Sequence, residues 1–502
     1  MKYIFTVIHF LIAIVTCCQE SFIIRDDLGH LVNIAYMVAE SDKAYHIIGL
    51  TVEPDTSRQS PFVLDIGKDG SYNPSDYSIY RDSLRLMFMN LNNKKYQIDN
   101  RIQFGVSTIN GQFILEYDTD SRSLNLKDLI LFDDRRDTTI HHFFPFEEGY
   151  LLGGVVESTK FGGESDYIIM RTDIDSEFIL RADEPGFYEL CRRIVVVDDS
   201  TYCAMISTNT SEVTFASMKL LFFNDKGDSL NLVETGVESY RVEDAILDSD
   251  GNFLISSYDF VKLNSDPDFD VGHYTPYLMK MDESGNILWK RTYGAHIDDG
   301  GKSSKYASLI ESFENDGYII AGSDFSALFD PFARQSHAVL AKVSLDGDSL
   351  WYRKYATIDT VEDFFHVFND VIATQDGGYL AVGDQTYFNT EEGRTTNSLL
   401  IVKTNAEGLV VPDTTNSVVT LNDQSQFQIY PNPSSDYLYI NKDITGEWNF
   451  SIHDMSGKRM LAQELNETKI TYMIDLQMFA PGTYIIRFTN GETTYSEKIV
   501  VK

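Results

Sequence analysis

Cations are scarce in this chain. Lys and Arg total 41 against 76 Asp and Glu, a formal net charge of −35. That argues against a nucleic-acid binder, which needs clustered Lys and Arg for phosphate contacts. It argues equally against attachment to anionic lipid through a basic patch. Proline is also sparse, 12 residues against 29 Tyr and 32 Phe, which points to strands rather than a Pro-rich stalk. Cysteine numbers four in 502 residues, too few for a disulfide scaffold. Long apolar runs are missing beyond the first residues. What is present is a 43% hydrophobic fraction, enough to build packed domains and to exclude global disorder.

The opening residues read as an address. Lys2 precedes an apolar run from Ile4 to Val15 that contains only Thr6 and His9 as polar breaks, and Gln19-Glu20 follows. This is the layout of a secretory signal peptide, and it is shorter than the roughly 20 residues of a membrane span. Cleavage is expected near Cys18, giving a leader at 1–18. Ile14-Val15-Thr16-Cys17 faintly resembles a lipoprotein signal, but Thr before Cys fits it poorly. Cys17 and Cys18 leave with the leader, and Cys191 and Cys203 remain. In an oxidising compartment they could pair. However, a turn centred on Asp199 sets Val195, not Cys191, opposite Cys203. The thiols then exceed the separation of about 7 Å between Cα atoms that a bridge tolerates.

One phrase recurs along the chain. Asp376-Gly377-Gly378-Tyr379-Leu380-Ala381-Val382-Gly383 matches Asn315-Asp316-Gly317-Tyr318-Ile319-Ile320-Ala321-Gly322, and Glu148 to Gly154 is a third copy. Looser copies end at Gly49, Gly105, Ile206 and Ser257. A second phrase follows in each unit: Tyr277 to Trp289, Ala338 to Trp351 and Leu399 to Gly408 are the clearest. Asp-Gly turns supply positive φ for tight hairpins, and the apolar runs suit buried strands. A Gly or Ser ending the run marks a bend or a close backbone approach. About four short strands per unit of roughly 50 to 65 residues is the size of a β-propeller blade. The expected fold is all-β, a seven-bladed propeller followed by a small C-terminal β-sandwich; an open β-solenoid or a pair of β-sandwiches are the rival readings, and the strong internal hairpins favour the propeller. Phe22-Ile23-Ile24-Arg25 resembles the strand at Leu350-Trp351-Tyr352-Arg353, and could complete the last blade and hide its edge.

Beyond Val411 the chain turns polar, and a compact β pattern follows. Ile429-Tyr430-Pro431-Asn432-Pro433 opens it, Tyr437-Leu438-Tyr439-Ile440 is a strand, and Ile452 to Lys458 is a hairpin turn containing Gly457. Asp475-Leu476, Met478 and Ala480-Pro481-Gly482-Thr483-Tyr484 come next, and Lys498-Ile499-Val500-Val501-Lys502 closes the series. In order and spacing these residues resemble the type A C-terminal sorting domain of type IX secretion, found in Bacteroidota. The resemblance implies that Tyr430, Pro431, Asn432, Pro433, Gly457, Lys458, Gly482, Tyr484, Lys498 and Lys502 form the sorting motif. It also implies the type IX machinery as a partner, export through the periplasm, and attachment to surface lipopolysaccharide or release. The domain layout is then a leader at 1–18, repeats at 19–412, a linker at 413–426 and a sorting domain at 427–502.

Chemistry is harder to find. Asp266, Asp268 and Asp270 alternate as in a calcium loop, but position twelve of an EF-hand begun at Asp266 is Tyr277 rather than Glu. A solvated acidic loop is the simpler account, and no cofactor is expected. His141 and His142 are adjacent, so on a regular strand their rings face opposite sides and share no zinc. Asp298-Asp299-Gly300-Gly301 suits a turn between blades or a funnel lining. There is no Gly-x-Ser-x-Gly elbow, His-Glu-x-x-His helix or phosphate-binding Gly-rich loop. Asp282, Asp346 and Asn405 are read as caps of their own turns. Trp289 and Trp351 hold equivalent places, as blade packing requires. Two functions follow as expectations: a non-enzymatic propeller binding a protein or glycan, and alternatively a secreted polysaccharide hydrolase or lyase using funnel carboxylates.

Overall fold

The computed structural model describes residues 21–26, 32–52, 59–73, 77–81, 90–108, 111–131, 138–146, 149–158, 164–173, 178–181, 187–210, 216–238, 242–262, 272–293, 305–327, 334–355, 364–389, 394–410, 427–430, 434, 437–442, 448–454, 458–465, 471–476, 479–489 and 494–501. The leader and the linker lie outside these. No helix among the described residues is long and apolar enough to cross a membrane.

The described chain is all-β. Among the described residues up to Thr404 the strands pair as seven antiparallel groups, at 32–79, 90–131, 138–181, 187–238, 244–291, 305–355 and 364–404, and single parallel bridges at Val32–Asn397 and Gln335–Phe364 join the sixth, seventh and first. The last group has three strands of its own and takes its fourth, Phe22–Asp26, from the N-terminal side. The first strands of successive groups touch in order, and that of the last group, Phe364–Ala373, meets Val32–Glu40 of the first. The result is a propeller-like ring of twisted sheets. Every copy of the first phrase falls on the second strand of its group, and the second phrase begins on the third strand, reaching the fourth at Trp289 and Trp351.

The phrase-ending glycine has a definite cause. The first strand carries a one-residue bulge between Ala35 and Met37, Ile140 and His142, Cys191 and Arg193, Tyr306 and Ser308, and Phe368 and Asp370. Opposite the residue that precedes each bulge stand Gly49, Gly154, Ile206, Gly322 and Gly383. A bulge pushes backbone toward its partner strand. A Cβ on Gly49, Gly154 or Gly383 would come within 2.3, 2.2 or 1.8 Å of a carbonyl oxygen on the first strand. The strand does not end at this residue: Tyr379–Asn389 runs six residues past Gly383. The glycine marks a close approach within the strand.

Groups are sealed to one another by a repeated contact. A fourth-strand side chain lies over the turn glycine of the next group: Val233 on Gly285, Trp289 on Gly347, Trp351 on Gly408, and Phe22 on Gly70, with an added Cβ meeting each at 2.7–2.8 Å. Trp289, Trp351 and Phe22 stand opposite Lys280, Lys342 and Lys403 in register. Phe22 thus fills the same place in the last group that the tryptophans fill in the two before it. The Trp289 indole also donates to Leu345 O at 3.0 Å, and the Tyr293 hydroxyl to Gly347 O at 2.7 Å.

Beyond the ring, Phe427–Tyr430, Tyr437–Lys442 and Thr471–Asp475 form one sheet, and Arg459–Leu465, Trp448–Asp454, Gly482–Thr489 and Thr494–Val501 form another. Their shared core includes Trp448, Phe450, Ile486 and Phe488, with Phe427 stacked on Phe488 at 4.0 Å. Two sheets closing on one apolar layer make a small β-sandwich.

The seam separates two costs at a turn glycine. Gly347 has φ +83° and faces Trp289, whereas Gly251 has φ +79° and no atom within 4 Å of an added Cβ. Both Gly→Ala changes carry the left-handed backbone cost of about 1–2 kcal/mol. Gly347→Ala should lose a further 1–3 kcal/mol or so by overpacking Trp289. Urea denaturation of the two variants measures the difference, and equal losses would contradict the seam.

Candidate functional site

The bulged inner strands bring a set of polar side chains to the axis. The bulge re-aims the residues that follow it, among them Arg193, Ser308 and Asp370. Asp370 accepts from the Val38 amide at 3.0 Å and from Ser308 Oγ at 3.0 Å, and it pairs with Lys95. One carboxylate therefore ties together strands of four groups. Asp244 does the same elsewhere on the ring, accepting Arg193 Nε at 3.0 Å and the Leu309 amide at 2.9 Å. The Arg193 guanidinium also donates to Glu243 O. Arg193 and Asp244 side chains are 4% and 2% exposed. Buried charge persists only when paired and hydrogen-bonded, and both conditions are met. These acids hold neighbouring groups together.

A second recurrent pair lies near the short turns. Lys280 meets Asp248 at 2.8 Å, Lys342 meets Asp316 at 2.8 Å, and Lys403 meets Asp376 at 2.8 Å. Each Lys is on the third strand and each Asp in the turn before the second. The pairing escaped the sequence reading, although the three lysines lie inside its second phrase and Asp316 and Asp376 inside its first. Lys at the same place in three copies was the available signal. Burial alone would raise the Asp248 pKa, but Lys280, the Asn252 amide and Tyr318 outweigh it and hold the carboxyl below its usual range. Burial would lower the Lys280 pKa, and its bond to Asp248 raises it instead.

The predicted residues are distributed as follows. Asp266, Asp268 and Asp270, and the loop from Asp298 to Gly301, lie outside the described residues. Among the described residues, no group of three or more His, Cys, Asp or Glu is placed to hold a metal ion. The regular alternation expected at His141 and His142 is broken, because His141 is the extra residue of a bulge; His142 is buried, 3.4 Å from the Tyr96 hydroxyl. Val195 does stand opposite Cys203, and Cys191 pairs with Ile206. Both thiols are free and buried in different core clusters, and burial pushes the Cys191 pKa up to about 12. Asp282 and Asn405 cap their turns, the first accepting from the amides of Ser284 and Asn286 at 2.9 Å. Asp346 does not. The corresponding cap is Ser344, whose Oγ accepts from the Asp348 amide at 3.0 Å, because the turn is aligned on Gly347 rather than on the acidic residue.

In the C-terminal sandwich, Lys458 closes the hairpin through the Asp454 carboxylate at 2.9 Å. Tyr484 is buried and donates to Ala480 O at 2.8 Å. Gly482 begins the strand that carries Tyr484, Lys498 is exposed on the last strand, and Tyr430 ends the first. Pro431, Asn432, Pro433, Gly457 and Lys502 lie outside the described residues.

A family model described as "Secretion system C-terminal sorting domain" matches residues 428–502. This module directs type IX secretion, so the protein is exported and is either secreted or attached to the cell surface. Comparison with curated proteins gives no match. Among solved structures the chain is similar to oligopeptidase B from Leishmania major, at 10% identity and TM-score 0.37, covering 83% of this chain and 54% of that one. It is similar to an acylaminoacyl peptidase of Pyrococcus horikoshii at 12% identity and TM-score 0.39, covering 84% and 60%. It is also similar to the Dos1 propeller at 8% identity and TM-score 0.37, covering 73% and 78%. The chain spans little more than half the length of the two peptidases.

The Asp248–Lys280 pair fixes an acid limit. A carboxylate whose folded pKa is depressed stabilises the fold above its unfolded pKa of about 3.9, and that contribution fades as pH falls through the folded value. Asp248→Asn should cost up to about 3–5 kcal/mol at pH 7, since it leaves buried Lys280 only the exposed Asp250 at 3.7 Å as an acidic partner. It should also flatten the loss of stability below about pH 4. Denaturation curves at neutral and acidic pH check both the size and the flattening.

Proposed function

We propose that the exported ring is a binding module for a protein or glycan met outside the cell. The observation that carries this reading is the work done by the axial acids. Asp244 and Asp370 accept from backbone amides and cations of neighbouring groups. A catalytic carboxylate pair must instead be free to meet a glycosidic bond, with the two groups about 5–9 Å apart. Acids fixed as staples support a rigid scaffold that presents its surface. The net charge of −35 suits a partner that offers cations or uncharged hydroxyls rather than phosphate. The sandwich delivers this ring outward, and attachment to lipopolysaccharide after export would keep it at the surface.

The test is a glycan array probed with the purified protein, run beside a reducing-sugar release assay on the same polysaccharides. Saturable retention without release is expected. Release of reducing ends would overturn the reading in favour of a hydrolase or lyase.

A further inference from the structure

The first group departs from the Lys-and-carboxylate pattern of the later ones. Opposite His46 in register, where the last group places Lys403 opposite Leu380, stands Asp65. His46 Nδ1 lies 2.7 Å from Asp65 Oδ1, and His46 Nε2 lies 2.9 Å from Ser41 Oγ. The His46 and Asp65 side chains are 2% and 8% exposed, while Ser41 is half-buried at the tip of a turn. Asp65 is anchored from its other oxygen by the Tyr117 hydroxyl at 2.8 Å and Arg122 Nε at 3.3 Å, both from the second group. The carboxylate accepts, so Nδ1 carries a proton, and the Ser41 hydroxyl lies within reach of both Nε2 and the Ala44 carbonyl, the latter at 3.3 Å.

We propose that Ser41, His46 and Asp65 form an acyl-transfer site that hydrolyses short acyl esters. The order of contacts, hydroxyl to imidazole to carboxylate, is the arrangement that activates a serine nucleophile on unrelated folds. Ser41 Oγ attacks the ester carbonyl carbon as its proton passes to His46 Nε2. The bond from that carbon to the alkoxy oxygen breaks, and the alcohol leaves with the proton from His46. Water, deprotonated by His46, then attacks the acyl group on Ser41, releases the carboxylic acid and restores the hydroxyl. The amides of Lys43 and Ala44 donate to Ser41 Oγ itself at 3.3 and 3.2 Å, which fixes the hydroxyl beside the imidazole. A short acyl group fits because Ser41 is flanked by exposed Asp42 and Lys43 rather than by apolar side chains that would hold a long chain. The site is independent of the axial acids and of any glycan the ring binds.

The sixth group supplies a contrast. Ser312 begins the corresponding turn, but its Oγ donates to Asp316 at 2.6 Å. The purified full chain is treated with a fluorophosphonate and, separately, with p-nitrophenyl acetate, and adducts are mapped by peptide mass spectrometry. Ser312 is also buried, so the general base is read within Ser41 itself: its labelling should fall about 100-fold in His46→Gln. Ser41→Ala should abolish adduct and acetate release, and thermal unfolding should stay cooperative in both variants. Asp65 is a positioning residue, so Asp65→Asn should lower kcat with KM nearly unchanged. Labelling of Ser41 that persists undiminished in His46→Gln would overturn the proposal.

Discussion

A ring of sheets must join its last group to its first, and here one short strand makes much of that join. Phe22–Asp26 pairs with Arg394–Thr404, placing Phe22 opposite Lys403 and Asp26 opposite Leu399. It supplies the fourth strand of the last group and brings Phe22 against Gly70 of the first. A single element therefore completes a sheet and closes the seam between the two ends of the repeat region. Unpaired edges invite association with other chains, and this pairing covers one of them.

The remaining architecture follows from stacking four-stranded groups that cannot bury both faces alone. Trp289, Trp351, Phe22 and Val233 lie over turn glycines at four junctions, and the paired carboxylates Asp244 and Asp370 tie groups together through their first strands. The chain's acidity thus has two parts. Some acids, such as Asp244, Asp248 and Asp370, are buried and matched by Arg193, Lys280 and Lys95. The others leave the surface negative, as suits a protein that the C-terminal sandwich carries out of the cell.

Much of the fold was legible because the hairpin chemistry is local. Gly and Asx residues at fixed offsets locate the turns, and apolar runs locate the second and third strands. The same local logic set Val195 opposite Cys203 and assigned Phe22 to the last sheet. What was hidden depends on register between strands. The Lys280–Asp248 pair joins positions 32 residues apart, and the bulges that explain Gly49 and Gly383 leave no residue-type mark of their own. Ser41, His46 and Asp65 were hidden for the same reason: His46 meets Asp65 only because Ala44–Val52 and Gln59–Gly67 pair in that register. The sorting residues were legible as a motif, since their order along the chain is itself the signal.

The N-terminal strand closes the ring. Hydrogen exchange on the exported protein, with and without residues 19–26, tests it directly. The account predicts that deletion exposes the amides of Leu399 to Lys403 and of the turn around Gly70, while the sandwich from Phe427 to Val501 keeps its protection. Unchanged protection at Leu399 to Lys403 would contradict it.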